Sequence, residues 1–306
     1  MSPQSVLNGR PNGSLVEVDG VEYFVGRDVN LFSSGQEPRD VLPDYCLSSK
    51  YLALVRGAMH YMWLDAGGPS ELVIKHLVLG LPLTTYQEHR ERLQSRVIGE
   101  HLLPDATQAD SYRRITVENC SVIVQPQGAL VNYGNLNRRI YEDHFSMVVD
   151  AGGGTLDWFV TRGRSPNWQR SGAYNKSMLA CSYAVADKID RGWRDNFDVI
   201  ERIDRAICEK RESFTVSGRS YRLTDYESDI TAILKESVDR MQAKVVSFDG
   251  LDTILFTGGG GALFYEYFRN RFPHLIHIMH IDEEPVYSNV KGFQLAGEIL
   301  SRPKLT

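Results

Sequence analysis

Residues 150–157, DAGGGTLD, and residues 251–264, LDTILFTGGGGALF, decide how this sequence is interpreted. The first stretch lies between two apolar runs, 147–149 and 158–160, and therefore predicts two strands joined by a three-glycine turn. The second stretch contains an apolar run, four glycines and a helix-forming segment, which predicts a buried strand, a glycine loop and a helix beginning near Ala262. Strands that alternate with helices in this way indicate an α/β fold.

The first glycine turn has the residue types of a phosphate-binding loop. Gly152, Gly153 and Gly154 carry no Cβ, so successive backbone N–H groups can converge on phosphate oxygens. Thr155 adds a hydroxyl donor, and Asp150 at the end of the incoming strand is an oxygen ligand of the kind that Mg²⁺ prefers, usually through water. The alternative is a hairpin whose glycines only form a tight turn. The flanking aspartates and the threonine favour phosphate binding.

The second glycine loop predicts contact with a nucleoside. Gly258, Gly259 and Gly260 would let a flat ring or a sugar approach the backbone, and the following helix would present free N–H groups. Alone, this pattern is weak, because strand, glycine turn and helix is also a common way to build an ordinary α/β connection. Together, the two loops predict an ATP cleft between two lobes.

Composition sets limits on the function. The chain has 306 residues, 42% hydrophobic and 24% charged, which indicates a folded globular protein of two domains or one large domain with a cleft. Its net charge of −5 argues against direct nucleic-acid binding, which needs a broad basic surface. The sequence contains no apolar segment long enough to span a bilayer, and its polar start does not resemble a signal peptide, so we expect a cytoplasmic protein with no membrane contact. Its four dispersed cysteines are expected to be reduced.

Local patterns predict most other elements. Asp19-Gly20 predicts a hairpin over residues 15–25, and Ser48 is a candidate helix cap. The remaining expectations are strands at 76–83, 115–117, 122–124 and 171–174, with 115–117 and 122–124 as a pair, and helices at 85–101, 176–191, 226–246 and 286–300. His274, His277 and His280 repeat every third residue, and the interleaved isoleucines favour a buried strand near 276–281 over a metal site.

The combination of motifs resembles a known family. DAGGGTLD with LDTILFTGGGGALF resembles the phosphate and adenosine loops of the actin, sugar-kinase and heat-shock chaperone superfamily. HLVLGLPLTTY (76–86), VQPQGALVNYG (124–134) and NVKGFQLAGEIL (289–300) are similar to plasmid-segregation actin-like ATPases of the ParM/StbA type. The resemblance implies an α/β, two-lobed actin-like ATPase fold with ribonuclease H-like lobes around a nucleotide cleft. It implies a first lobe of residues 1–145 plus 286–306 and a second lobe of residues 146–285.

The same resemblance implies roles for individual residues and one departure. Asp150 would hold the metal, and Gln127 or Gln125 would orient the attacking water, with Gln127 preferred; both could instead cap a helix or bond between the lobes. Glu236 and Arg240, four apart on one helix, could reach a ribose or purine, although such pairs are more often surface ion pairs. The family's first phosphate loop has no counterpart here, so the first lobe is expected to be truncated at its N-terminus.

The implied function is nucleotide-dependent filament formation that segregates plasmid or other mobile DNA, with slow ATP hydrolysis and Mg²⁺. The partners would be further copies of the chain and an adaptor protein, with only an indirect link to DNA. Two alternatives remain: a nucleotide-binding scaffold without hydrolysis, which the absence of the first phosphate loop supports, and a small-molecule kinase on the same fold. A kinase would need a carboxylate base for a substrate hydroxyl, and the sequence has no distinct motif for one.

Overall fold

The computed structural model describes residues 12–29, 44–104 and 112–302. The α-helices of this part are α1 (Ser49–Asp65), α2 (Leu83–Val97), α3 (Gln125–Leu136), α4 (Met178–Ile189), α5 (Phe197–Cys208), α6 (Glu227–Val245), α7 (Gly261–Arg271) and α8 (Ser288–Leu300). The strands are β1 (Gly13–Val18), β2 (Val21–Gly26), β3 (Glu71–Ile74), β4 (Leu77–Leu81), β5 (Gly99–Pro104), β6 (Tyr112–Val117), β7 (Cys120–Val124), β8 (Phe145–Ala151), β9 (Leu156–Arg162), β10 (Ser165–Pro166), β11 (Gly172–Tyr174), β12 (Ser213–Val216), β13 (Arg219–Arg222), β14 (Thr253–Thr257) and β15 (Met279–Ile281). None of these helices is long and apolar enough to cross a membrane.

The largest sheet carries both glycine loops. Its strand order is β10-β9-β8-β14-β15, with β11 also paired to β9. β8 and β9 are antiparallel, whereas β14 runs parallel to β8 and β15. Consequently the carboxyl ends of β8 and β14 lie at the same edge of the sheet, and the two glycine loops follow from that edge.

Both faces of this sheet are covered. Met147 and Val149 on one face of β8 belong to the core that includes α4 to α7, whereas Val148 on the other face packs with Ala129 and Leu130 of α3. Side chains alternate along a strand, so a strand covered on both faces needs a continuous apolar run. This requirement explains the continuous apolar runs at the centres of β8 (147–149) and β14 (254–256).

The first half of the chain forms a second core. β4 pairs with β7 in parallel, and β3, β6 and β5 form a separate sheet in that order. Ser48 caps α1, because its hydroxyl accepts a hydrogen bond from the Tyr51 N–H at 3.1 Å. In the β1–β2 hairpin, Asp19 and Gly20 have φ of 54° and 78°, as a two-residue turn of this type requires. These local predictions are confirmed.

Helices α3 and α8 connect the two cores. They cross at Gly128 and Gly292, where a Cβ built on Gly292 would lie 1.8 Å from the Gly128 carbonyl oxygen. α8 also packs on β4, since Phe293 fills the space beside Gly80. The two glycines are therefore required because the helix backbones touch.

Several expectations from the sequence were wrong in extent or pairing. The helix predicted for 85–101 ends at Val97, and the missed strand β5 follows it. The segments 115–117 and 122–124 do not pair with each other, because β6 joins β3 and β5 whereas β7 joins β4. Strand β3, helix α5 and the β12–β13 hairpin were also missed.

The histidine run is mainly a 3₁₀ helix rather than a strand. Residues Pro273–Ile278 form this helix, and only Met279–Ile281 form β15. A 3₁₀ helix has three residues per turn, so His274 and His277 lie on one face, and both are exposed. In the described ranges, no group of three or more His, Cys, Asp or Glu side chains could hold a metal ion. No disulfide joins the four cysteines, all of which lie within the described ranges.

Candidate functional site

The first glycine loop places two carboxylates side by side. Asp150 and Asp157 are directly opposite each other in the β8–β9 ladder, at the two ends of the loop. They are 5% and 2% exposed, respectively. Between them, the Gly152 N–H donates to the Thr155 carbonyl oxygen at 3.0 Å and closes the turn, and Gly153 is exposed.

Asp150 is connected to the helix crossing. Its Oδ2 accepts a hydrogen bond from Asn289 Nδ2 at 2.7 Å, and Asn289 Oδ1 in turn accepts from the Ala129 N–H of α3 at 3.1 Å. Burial, with a further contribution from the neighbouring Asp157 carboxylate, raises the pKa of Asp150 to about 7. The Asn289 amide therefore ties α8, α3 and the glycine loop together at one carboxylate.

Asp157 is held through both of its oxygens. Oδ1 accepts from the Leu83 N–H of α2 at 2.9 Å, and Oδ2 accepts from the Thr155 hydroxyl at 2.6 Å. Burial raises the pKa of Asp157 to about 6, although these two hydrogen bonds oppose the increase. Two buried carboxylates beside a glycine loop are a donor set that fits Mg²⁺, which commonly takes one or two carboxylates and retains water.

The second glycine loop packs directly against the first. The Gly260 N–H donates to the Ala151 carbonyl oxygen at 2.9 Å. Gly258 has a φ of +83°, and a Cβ there would lie 2.5 Å from both the Ala151 oxygen and Asp150 Oδ1. Gly259 is exposed, with open space where a Cβ would lie. The two loops are thus in contact, and Gly258 and Gly260 are buried in that contact.

Glu236 and Arg240 on α6 face β11. Glu236 forms a salt bridge with Lys176 at 2.8 Å and accepts a hydrogen bond from the Tyr174 hydroxyl. The Arg240 guanidinium lies over the Tyr174 ring, 5.9 Å from its centroid. These contacts make Glu236 and Arg240 part of one polar cluster with Tyr174 and Lys176, and Lys176 also lines a cavity with Gly154 and Thr155.

Gln125 and Gln127 occupy the first turn of α3, where Pro126 suits a helix start. Both are half-buried, and the Gln125 side chain lies beside Gly80 of β4. This turn approaches Asp150 through Asn289, which bonds to Ala129. The first turn of α3, which carries both predicted glutamines, therefore lies near the site where Asn289 connects Ala129 to Asp150 of the first glycine loop. We call this meeting of α3, α8 and the loop the junction.

A cavity of about 640 Å³ opens beside the first loop. Gly154, Thr155 and Lys176 contribute to its wall, together with the first turns of α2 and one side of α4. Its volume lies within the usual range for small-molecule sites, about 300–1,000 Å³. Gly258, Gly259 and Gly260 are not part of this wall, so the cavity reaches the first loop but not the second.

Sequence reasoning gave no role to Leu83, Lys176 and Asn289, and it used Asp157 only as a flanking aspartate that favours phosphate binding. Asp157 and Asn289 lay inside motifs that carried the resemblance, but their partners are 74 and 139 residues away along the chain. Local patterns predict neither contact. A buried carboxylate at each end of a glycine turn was the one available signal.

Comparison with known proteins identifies the fold. A family model described as "Actin like proteins N terminal domain" matches residues 2–128. The crystal structure of actin-like protein Alp7A aligns over 98% of this chain and 88% of its own, with a TM-score of 0.67 and 15% identity. A 15-stranded ParM filament from Clostridium botulinum aligns over 98% and 89%, with a TM-score of 0.71 and 19% identity. The chain has an actin-like fold.

A third actin-like structure extends the comparison to an archaeal protein. Ta0583, an archaeal actin homolog solved as a complex with ADP, aligns over 93% of this chain and 89% of its own. Its TM-score is 0.68 at 17% identity. At such identities the similarity establishes the fold alone. Among curated protein sequences, none matches this chain.

Proposed function

We propose that this actin-like chain binds Mg²⁺-ATP at the paired glycine loops and forms nucleotide-dependent filaments that segregate plasmid or other mobile DNA. The observation that carries the proposal is the contact between the two loops beside the buried Asp150–Asp157 pair. The sequence resembles ParM/StbA-type proteins and, more narrowly, PRTRC system protein D. We propose cytoplasmic localisation on the same resemblance.

The roles of the first loop follow from its donors. The backbone N–H groups of Gly153 and Gly154 and the Thr155 hydroxyl would bind phosphate oxygens. Gly152 would shape the loop, because its N–H donates to the Thr155 carbonyl oxygen. Asp150 would hold Mg²⁺, because a cation relieves the cost of two adjacent buried carboxylates. When bound, Mg²⁺ would neutralise charge on the phosphates.

The nucleoside would lie toward the second loop. Gly259 is the open position of that loop, whereas Gly258 and Gly260 shape it by packing on the first loop. Glu236 and Arg240 would approach the ribose or purine from α6. Because Lys176 already neutralises Glu236, the Glu236 carboxylate would act as a hydrogen-bond acceptor without an unpaired charge.

Hydrolysis would depend on α3. Gln127, or alternatively Gln125, would position water for in-line attack, since a glutamine amide can orient water but is a poor base. Asn289 would fix the position of the first turn of α3 relative to Asp150, because it accepts a hydrogen bond from the Ala129 N–H and donates one to Asp150. We expect slow ATP hydrolysis, because the glutamine would position the attacking water without acting as a strong base.

We also propose the division into lobes. Residues 1–145 plus 286–306 would form the first lobe, and residues 146–285 the second. The packing of α8 on β4 supports placing the C-terminal helix with the first lobe. The contacts among α3, α8 and β8 would then form the hinge.

Filament formation is the part of the proposal that concerns partners. Two of the similar structures are filaments, one of ParM and one of Alp12. We propose that this chain associates with its own copies in the same way. The net charge of −5 favours an adaptor protein over direct DNA contact.

Sedimentation tests the filament. The protein is pelleted with ATP, with ADP and without nucleotide, each with Mg²⁺, and an ATP-dependent pellet is expected. The absence of a pellet under every condition would refute filament formation, and binding without turnover would favour the non-hydrolysing scaffold. Turnover stimulated by a small-molecule substrate would favour the kinase.

Substitution tests the site. Asp150→Ala should weaken Mg²⁺-ATP binding at least tenfold in calorimetry, a change of about 1.4 kcal/mol. Asp143→Ala removes an exposed carboxylate that pairs with Arg162, so binding should not change. Equal affinities for the two variants would remove Asp150 from the site.

A further inference from the structure

The Asp157 carboxylate joins the glycine loop to a helix of the other core. The Leu83 N–H, the first amide of α2, donates to Oδ1, and the Thr155 hydroxyl donates to Oδ2. Pro82, the residue before the helix, supplies no side-chain cap. Asp157 therefore satisfies an N–H group that a helix start otherwise leaves without an acceptor.

Thr155 cannot serve two acceptors. A threonine hydroxyl has one hydrogen, so it donates either to Asp157 or to an anion in the cavity that Thr155 borders. A bound phosphate group at Thr155 would take that hydrogen. The 2%-exposed Asp157 carboxylate would then keep only one of its two donors.

The loss of that donor changes the position of the carboxylate. Two donors, one on each oxygen, fix the carboxylate plane, whereas one donor leaves it free to rotate about the Cβ–Cγ bond. Without the Thr155 donor, the carboxylate would no longer be held in the plane in which Oδ1 faces the Leu83 N–H. The Leu83 hydrogen bond would therefore weaken.

We propose that Asp157 is a positioning residue that transmits the presence of a triphosphate at Thr155 to the first turn of α2. The inference rests on the proposed function, because the anion is the triphosphate. The rest of α2 would stay in place, because Leu93 and Val97 are buried in the core of the first half of the chain. The change would therefore be confined to the first turn of α2.

Hydrogen exchange at the Leu83 amide tests the link. The full chain is exchanged with and without saturating Mg²⁺-ATP, quenched, and analysed by mass spectrometry of overlapping peptides that resolve Leu83, so that filaments do not prevent the measurement; binding is measured in parallel by calorimetry. The Leu83 amide should exchange about tenfold faster in the bound state, because its acceptor is no longer held in place. Thr155→Ser, which retains the hydroxyl, should respond in the same way.

Two variants separate the link from general stability. Thr155→Val lacks the hydroxyl, so saturating nucleotide should no longer change Leu83 exchange. Thr161→Val makes the same change on β9, at a buried hydroxyl that has no hydrogen-bond partner among the described residues, and it should respond as the wild type does. If Thr155→Val does not fold, Asp157→Asn provides the second variant: its carbonyl oxygen still accepts from Leu83, its amide donates to Thr155, and nucleotide should leave Leu83 exchange slow.

The outcomes distinguish this inference from the proposed function. Nucleotide binding with unchanged Leu83 exchange in the wild type would refute the link and leave the proposed function standing. A response in Thr155→Val equal to that of the wild type would also refute it. A wild-type chain that shows no binding would overturn both.

Discussion

Replacing Gly292 with alanine tests the helix crossing on which the candidate site depends. A Cβ at Gly292 would lie 1.8 Å from the Gly128 oxygen and 2.5 Å from its carbonyl carbon, whereas real Cβ atoms essentially never approach within 3.0 Å. Both obstacles are backbone atoms, so no rotamer change relieves the clash. The α3–α8 distance must therefore increase by about 1 Å or more.

Three contributions determine the change in stability, two unfavourable and one favourable. Overpacking in a close-packed interior costs about 1–3 kcal/mol. Widening the crossing also strains the hydrogen bond from the Ala129 N–H to Asn289, already 3.1 Å long, whose loss costs about 0.5–1.5 kcal/mol. Alanine returns up to about 1 kcal/mol through its higher helix propensity. The free energy of unfolding should therefore fall by about 2–3 kcal/mol.

Urea unfolding followed by circular dichroism measures this change. Gly297→Ala is the matched control, because it lies on the same helix and gains the same propensity. Its Cβ would lie 3.1 Å from the His76 carbonyl oxygen and 3.6 Å from Val78, so small shifts accommodate it and the change should stay within about 1 kcal/mol. Equal stability of the two variants would refute the argument that the backbones touch at Gly292.

Three further predictions concern the loops and one strained residue. The pKa of Asp150 is raised from 3.8 to about 7 in the folded state, so the folded state binds more protons than the unfolded state. The free energy of unfolding should therefore fall as the pH rises from about 4 to about 7. Asp150→Asn should reduce that slope in urea titrations at several pH values. Gly258→Ala should lower the melting temperature, since its φ is +83° and its Cβ would meet Asp150, whereas Gly259→Ala should not. Val246 is 80% exposed and has a φ of 70°, a backbone conformation that is strained for a β-branched residue. Val246→Gly should therefore raise the free energy of unfolding in urea by about 1 kcal/mol. An unchanged unfolding midpoint would contradict the strain at Val246.

The sequence alone determined the local elements of this protein. The Asp19-Gly20 turn, the Ser48 cap and the apolar strands that lead into both glycine loops follow from backbone geometry and from burial on two faces, which act within a few residues. The strand predicted for the histidine run was wrong, because a spacing of three residues matches the turn of a 3₁₀ helix. A short apolar segment alone does not distinguish a 3₁₀ helix from a strand.

Only the tertiary structure decided how the site is connected. Asp157 meets Leu83, Asp150 meets Asn289, and Gly292 meets Gly128, each across more than 70 residues of chain. Sequence patterns report which face of an element is apolar, but they do not report which element covers it. The polar contacts of the junction depend on that choice, because a buried carboxylate takes its donors from whichever backbone folding brings within hydrogen-bond distance.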